Sequence, residues 1–461
     1  MAIRTNQLLA LPFFVAAALL IFLHGDAMPF SAAAGGALAL VVVGMWATRF
    51  AAEHMTSLLF FLAAMVFGIA EAPAVFSGFA AGAFWLLFGG MILGTAVGQT
   101  GLGARLARRM ALSLGVSYTG LLVGIASVAL ALSFVMPSST GRVVLLMPVA
   151  VSLADAFRFA PGSKGRLGIT VTAALAAVIP GFAILPANVP NLVMLGAAES
   201  LYGLKITYAE FLLLHFPVLG ILKTVAIVIV ARILFPDTLP DLEVDDAAAR
   251  KPFSPEEKRL AIVLVGALVL WATDFIHGVA PSWVALGAGL ACFFPPFRLM
   301  EAEEITKAIQ IRPLLYIAGV LSLGAVVTST GFGDQMAAAF LSVAGLSEGA
   351  NAANFATIVG ASIATSVLGT APTVPAVWTP LAEGMAQATG MSLSSVVMLQ
   401  VAAFSTVILP YQVPPTVVGL QLGGVPVKQG VISVLLVALI TVTVLLPLDY
   451  LWWELLGRFD G

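Results

Sequence analysis

Four short stretches carry residues whose types and spacing could do chemistry inside an otherwise apolar chain. "MPSSTGR" supplies Ser138, Ser139, Thr140 and Arg142, and "LGTAPTVP" supplies Gly369, Thr370 and Thr373. "ILPANVPNLV" sets Asn188 and Asn191 beside Pro186 and Pro190, and "ILPYQVPPTV" sets Gln412 and Thr416 among prolines. Hydroxyls and free amides at the start of a helix suit a carboxylate or sulfate oxygen. A guanidinium fits a carboxylate or sulfonate through two parallel bonds. Proline removes an amide hydrogen bond from a helix, so a doubly interrupted segment exposes carbonyl oxygens suited to a hard cation such as sodium. The helix that restarts beyond the break points its positive dipole end at an anion. The candidate anion ligands are therefore Ser138, Ser139, Thr140, Arg142, Asn188, Thr370, Thr373 and Gln412. The candidate sodium ligands are Ser138, Asn188, Asn191, Gly369, Thr370 and Thr416. Two plainer readings stand beside these: prolines that only kink packed helices, and an Arg142 that pairs with a structural carboxylate, for which Asp155 is available.

The elements that position these residues lie in a membrane. Of 461 residues 60% are hydrophobic and 10% charged, against about 25% charged in a soluble domain. Apolar runs of spanning length fall at 8–24, 33–47, 57–73, 83–99, 166–200, 209–235, 259–276, 281–296, 311–328, 392–423 and 431–453. The regions 115–157 and 350–387 carry their polar patch at the middle, where lipid would leave it unsolvated; each is expected to be a re-entrant hairpin. With the N-terminus inside, the loop-borne basic residues fall on the cytoplasmic side except Lys205 and Arg458, as the positive-inside rule requires. A single crossing at either hairpin would spoil that bias. The 8–24 run is expected to be a first helix rather than a cleaved signal, and Phe235–Arg259 a solvated cytoplasmic connector.

The motifs occur twice. Ile184–Val193 matches Ile408–Val417 at an offset of 224, Leu86–Gly103 resembles Leu315–Gly333 at 230, and Ser133–Ala150 aligns with Thr365–Ala382 at 232. An odd number of crossings per half inverts the second copy, and interrupted segments at matching positions of inverted repeats point to a secondary transporter with its site at the repeat interface. The expected fold class is an all-α polytopic membrane protein with about eleven transmembrane helices and two re-entrant hairpins in two inverted-topology repeats. Its parts are an N-terminal helix (1–32), a first repeat (33–235), a linker (236–258), a second repeat (259–453) and a tail (454–461).

Other chemistries find no support. A net charge of −2 without clustered excess Lys and Arg points to neither a nucleic-acid partner nor a polybasic membrane patch. The single cysteine, Cys292, excludes an internal disulfide. No zinc, phosphate-loop or nucleophile-elbow motif marks an enzyme, and "GQTGLG" and "GGMILG" are better explained as helix-packing glycines. His24, His54 and His277 lie near span ends, and His215 in "LLLHFPV" reads as a packed helix histidine. No relay of carboxylates and histidines is evident.

On "FWLLFGGMILGTAVGQTGLGARLARRM", "SSTGRVVLLMPV", "ILPANVPNLV" and their counterparts, the chain resembles the divalent anion/sodium symporter family. That resemblance implies a homodimer in which hairpins and broken helices slide against a scaffold, an elevator mechanism, and two sodium ions held with the substrate. The family's Ser-Asn-Thr tip stands here as Ser138-Ser139-Thr140; in the second half Thr370-Ala371-Pro372, or Gly369-Thr370 with a one-residue shift, takes its place. Gly-Thr-Pro-Pro-Asn stands as Ala187-Asn188-Val189-Pro190-Asn191. The expected function is sodium-coupled symport of a small dicarboxylate, sulfate or sulfonate across the inner membrane, N-terminus inside and C-terminus outside, with no cofactor beyond the coupling ions. Proton-coupled or exchange-type transport is the alternative, and a channel or a membrane-embedded enzyme stands further off. Arg142→Ala is expected to weaken anion binding and leave the folded yield intact.

Overall fold

The computed structural model describes residues 5–23, 25, 28–48, 50–106, 109, 117–239 and 252–459. Arg4, His24, Arg49, Arg108, Arg250, Lys251 and most of the 236–258 linker lie outside the described residues. Among the described residues the regular elements are all helical, and nine helices are long and apolar enough to cross a membrane. Three shorter apolar helices, Leu9–Phe22, Glu53–Val66 and Leu393–Phe404, join them.

Several expected runs are shorter or more divided than their hydropathy implied. The 281–296 run is helical only over Pro281–Ala291. The 166–200 run is two helices, Lys164–Ala176 and Val189–Tyr202, separated by two short 3-10 turns at Pro180–Ala183 and Leu185–Ala187. A helix at Phe332–Ala344 lies in a stretch that no expected span included. It is amphipathic, so it carries no continuous apolar run to betray it, and it begins after Gly331, whose φ of 79° is cheap only for glycine.

The first hairpin has arms Tyr118–Val135 and Ser139–Ala156, each of 18 residues, or about 27 Å of helix at 1.5 Å per residue. Both arms are thus long enough to be counted among the spans. The second hairpin has one straight arm, Asn351–Leu368, and a return arm divided into Thr373–Trp378, Thr379–Leu381 and Ala382–Thr389, with Pro375 and Pro380 inside it.

The helix Lys164–Ala176 is enclosed on nearly every side and runs through the middle of the bundle, with 94% of the spanning window in Lys164–Ala183 buried. Glycines permit the closest helix crossings. A Cβ on Gly89 would sit 2.5 Å from the Ala285 carbonyl, and one on Gly289 would sit 2.9 Å from the Gly89 oxygen. Gly89 and Gly90 of "GGMILG" therefore serve packing, whereas Gly94, Gly98 and Gly101 have open space where a Cβ would go. At the surface, Arg105 pairs with the buried Glu257 at 2.7 Å and donates to the Pro252 carbonyl at 3.1 Å, so the far end of the connector is docked on the bundle.

Two long helices pass through π-turns. One runs from Tyr208 through Phe216–Leu222 to Leu234; the other runs from Val427 through Thr441–Leu445 to Leu455. A π-turn takes up an extra residue and is concentrated at functional sites. The two here lie at an offset of 225 and pack against each other.

Candidate functional site

A break in a buried helix frees carbonyl oxygens that must find donors. In the first break the chain supplies them itself. Ala177 O accepts from Arg142 Nε at 2.7 Å and Ala187 O from Arg142 Nη1 at 2.9 Å. Val178 O accepts from Asn188 Nδ2 at 3.4 Å and Ile184 O from Asn191 Nδ2 at 2.8 Å. Arg142 Nη1 also donates to Met136 O, at the end of the first hairpin arm. Its Nη2 donates to Ser139 Oγ at 3.2 Å and Asn188 Oδ1 at 3.3 Å, and Ser139 Oγ donates to that same Asn188 oxygen. A guanidinium has five N–H donors, and each is committed to a protein acceptor.

Arg142 is completely buried. It offers an anion no free fork in this arrangement; what reaches the hairpin tip is its positive charge. Asp155 does not pair with it. That carboxylate is exposed and pairs with Arg166.

Gly181 makes the close approach possible, since a Cβ there would sit 2.8 Å from Arg142 Nη2 and 3.1 Å from Asn188 Nδ2. The guanidinium is pinned on every side and cannot yield cheaply. Gly181→Ala is expected to destabilise the protein by about 1–3 kcal/mol, the usual cost of overpacking, read as an earlier unfolding transition in detergent.

The second break is held differently. Gln412 Oε1 accepts from the amides of Ile408 and Leu409, both at 2.7 Å, and its Nε2 donates to Ser366 Oγ at 2.8 Å. Its own carbonyl accepts from Ala371 N at 2.9 Å, joining the break to the second hairpin tip. At that tip Thr370 N donates to Thr373 Oγ1 at 3.2 Å, and the two hydroxyls lie 3.4 Å apart. At the first tip Ser138 caps the returning arm by accepting from Gly141 N at 3.0 Å.

The two halves are interlocked crosswise. The helix beyond the first break, Val189–Tyr202, packs on Thr373–Trp378 of the second hairpin. The helix beyond the second break, Pro414–Leu422, packs on Ser139–Ala156 of the first, where Gly419 and Gly423 allow contact with Val143 and Met147. Phe182 and Phe404 meet at 5.6 Å where the two breaks begin.

The predicted residues divide by exposure within this body. Ser138, Ser139, Thr140, Thr370 and Thr373 are partly or largely open, whereas Arg142, Asn188, Asn191, Gln412 and Thr416 are buried, and Gly369 closes the second tip. Asn191 Oδ1 and Thr416 Oγ1 have no hydrogen-bond partner and remain open acceptors one turn beyond each break. Five participants were not foreseen: Gly181, Ser366, and the carbonyls of Met136, Ala177 and Ala187 as ligands of an arginine. A cavity of about 370 Å³ lies elsewhere, between Phe30–Thr48 and Glu53–Val66; its lining is almost wholly apolar and offers an anion nothing.

Comparison with known proteins agrees with this architecture. The family described as "Sodium:sulfate symporter transmembrane region" matches residues 5–459. A "Membrane protein" of Cupriavidus necator is 28% identical over 267 residues, covering 56% of this chain and 52% of that protein. The "L-tartrate/succinate antiporter" of Escherichia coli strain K12 is 25% identical over 277 residues, covering 56% of this chain and 54% of that protein. The chain spans about half the length of the curated relatives it matches. Among solved structures the YdaH transporter of Alcanivorax borkumensis, reported with an unusual topology, superimposes with a TM-score of 0.58 at 16% identity, covering 86% of this chain and 90% of that one. That likeness establishes the transporter fold.

Proposed function

Because this chain belongs to the sodium:sulfate symporter family, we propose that it is a secondary active transporter of a small anion of dicarboxylate, sulfate or sulfonate type, and that sodium drives the uptake. One observation carries the reading: two hairpin tips and two backbone breaks form a single interlocked body, with accessible hydroxyls at the tips and buried amides beneath. The anion sits at Ser138, Ser139, Thr140, Thr370 and Thr373, drawn there by the buried charge of Arg142 and by the helix start that Ser138 caps. Asn191 Oδ1 and Thr416 Oγ1 are the acceptors left open to a sodium ion. The crosswise packing supports movement of hairpins and broken helices as one piece against the remaining helices, in a homodimer at the inner membrane.

A second reading is favoured by one specific observation. Arg142 occupies the carbonyl oxygens that the first break frees, so a tethered cation stands where a mobile one would bind. That favours exchange of one anion for another without sodium at the first site, and the relatives in E. coli and Shigella flexneri are described as antiporters.

Proteoliposomes separate the two. Labelled succinate, L-tartrate, sulfate and a small sulfonate are offered with a sodium or a choline gradient, with vesicles empty or preloaded with unlabelled anion. Symport is expected to accumulate label in empty vesicles only with sodium. Exchange is expected to need the preload and ignore sodium, and the absence of both for every anion overturns the carrier reading.

The inverted arrangement of the halves has its own test. In a Cys292→Ser background, a cysteine introduced in place of Lys258 is expected to react with an impermeant maleimide from the cytoplasmic side, and one in place of Glu454 from the opposite side. Labelling of both from one side overturns the inversion.

A further inference from the structure

The two π-turns bring a buried lysine and a buried aspartate to the seam between the last helices of the two halves. Lys223 begins its helix directly after Phe216–Leu222, and Asp449 lies in the first turn after Thr441–Leu445, at an offset of 226. Both side chains are completely buried. Lys223 Nζ donates to the carbonyl oxygen and to Oγ of Ser405, both at 3.0 Å. Ser405 caps the end of Leu393–Phe404, where the second break begins, and stands at the 224-residue offset from Gly181. Asp449 has no hydrogen-bond partner on either carboxyl oxygen, although it lies within electrostatic reach of Lys223.

An ionised carboxylate enclosed in this way, with neither a donor nor an ion pair, is strongly disfavoured. Two events relieve it. A proton can neutralise the carboxylate, or the ammonium can leave Ser405 and pair with it. We propose that Lys223 and Asp449 form a proton-binding site that controls the second backbone break. With one proton on Asp449, the ammonium of Lys223 holds Ser405; when that proton leaves, the ammonium is drawn to the carboxylate and Ser405 is released. The balance is one proton: Asp449 passes between carboxylic acid and carboxylate, Lys223 stays protonated throughout, and no other bond is made or broken. The π-turns lie just before both residues, so the widest and least regular turn of each helix sits where the lysine must shift.

The charged groups around the pair leave Asp449 as the site of the change. On Tyr208–His215, Glu210 is paired with Arg458 at 2.7 Å, and His215 is buried against Phe211 and Trp453 with both ring nitrogens unpartnered. Arg232 donates to Thr119 at the exposed end of the lysine's helix. Arg166 is paired with Asp155, Lys164 begins that central helix, and Lys428, Glu454 and Tyr450 lie at or near the surface of the second half. His215 is the neighbour whose protonation could compete, and the test separates it.

The proposal rests on the transporter reading for its consequence but not for its measurement. Purified protein is titrated between about pH 5 and pH 9, the range open to a buried carboxyl group, and followed by infrared difference spectroscopy. The expected result is a carboxylic acid band that disappears on alkalinisation, is lost in Asp449→Asn and persists in His215→Gln. If Asp449→Asn fails to fold, Asp449→Glu, which keeps the acid, is expected to move the band. A band unchanged in both Asp449 variants overturns the proposal, as does its loss in His215→Gln. In proteoliposomes carrying labelled succinate, L-tartrate or sulfate, an imposed pH gradient is expected to alter wild-type flux at least tenfold more than Asp449→Asn flux. Absence of flux for every anion with the titration intact overturns the carrier reading alone, while equal pH responses in wild type and variant overturn the proton site.

Discussion

Arg142→Met is expected to lose both folded stability and transport. The substitution strands the carbonyls of Met136, Ala177 and Ala187 in the interior and removes a partner from Ser139 and Asn188. Each stranded buried group costs about 1–3 kcal/mol. Against this, a buried guanidinium without a carboxylate partner has its own desolvation cost, and removing it returns part of the loss. Because several acceptors depend on one side chain, the net effect is expected near 3–5 kcal/mol, the scale of a broken buried network. This revises the expectation that an alanine at position 142 would spare the fold. Thermal unfolding in detergent checks it, and flux is expected to fall by about a hundredfold, equivalent to ~2.7 kcal/mol of barrier.

Arg142→Ala makes the comparison sharper. It leaves a cradle of hard oxygens from Met136, Ala177, Ala187, Ser139 and Asn188, the donor type that a small alkali ion takes. A sodium-dependent rise in unfolding temperature is expected in this variant beyond any in the wild type. Equal sodium responses in the two proteins contradict the reading of Arg142 as a tethered cation.

Gln412→Leu is the second large effect. Leucine fills a similar volume but strips both amides of Ile408 and Leu409 of their acceptor and leaves Ser366 Oγ without its donor. Two half-buried amides left without an acceptor, at the low end of about 1–3 kcal/mol each, together outweigh what leucine gains by its apolar surface. The second break is expected to lose its shape, and with it the bond from Ala371 N to the Gln412 carbonyl that fixes the hairpin tip. Transport is expected to vanish while the rest of the bundle still folds. Gln412→Glu, which keeps two acceptor oxygens, is expected to retain more flux at low pH than at high pH, because only the protonated acid spares a buried charge. Parallel pH profiles for wild type and Gln412→Glu count against this role.

The places where the fold departs from an unbroken helix were legible because proline and glycine act locally. Pro186, Pro190, Pro410 and Pro414 mark both breaks, and the hydroxyls of Ser138 and Thr370 mark both tips, wherever the rest of the chain goes. The partners were not legible, because partnership depends on depth and rotation. Arg142 reads from its neighbours as a hand extended to substrate; only the fold shows that Ala177 and Ala187, more than thirty residues away, come to meet it. Asp449 sits three residues before Trp452, near the end of the last apolar run, and Lys223 stands alone among apolar neighbours. Neither position signals that a π-turn has rotated it inward. The helix Phe332–Ala344 was hidden for a different reason, since a half-exposed face dilutes the hydropathy on which spans are recognised.

The extra residue in each π-turn has a consequence for how this chain tolerates change in length. Every residue turns a helix by about 100°, so the surplus position in Phe216–Leu222 sets the azimuth of everything up to Leu234. Deleting one residue there would let an ordinary helix close, but it would swing the ammonium of Lys223 about a quarter-turn away from Ser405 and carry its apolar neighbours with it. The same holds for Asp449 and the turn Thr441–Leu445. Each last helix is thus indexed by a single inserted unit, and a paired deletion, one from each turn, is the change that could restore their mutual facing where either one alone would fail.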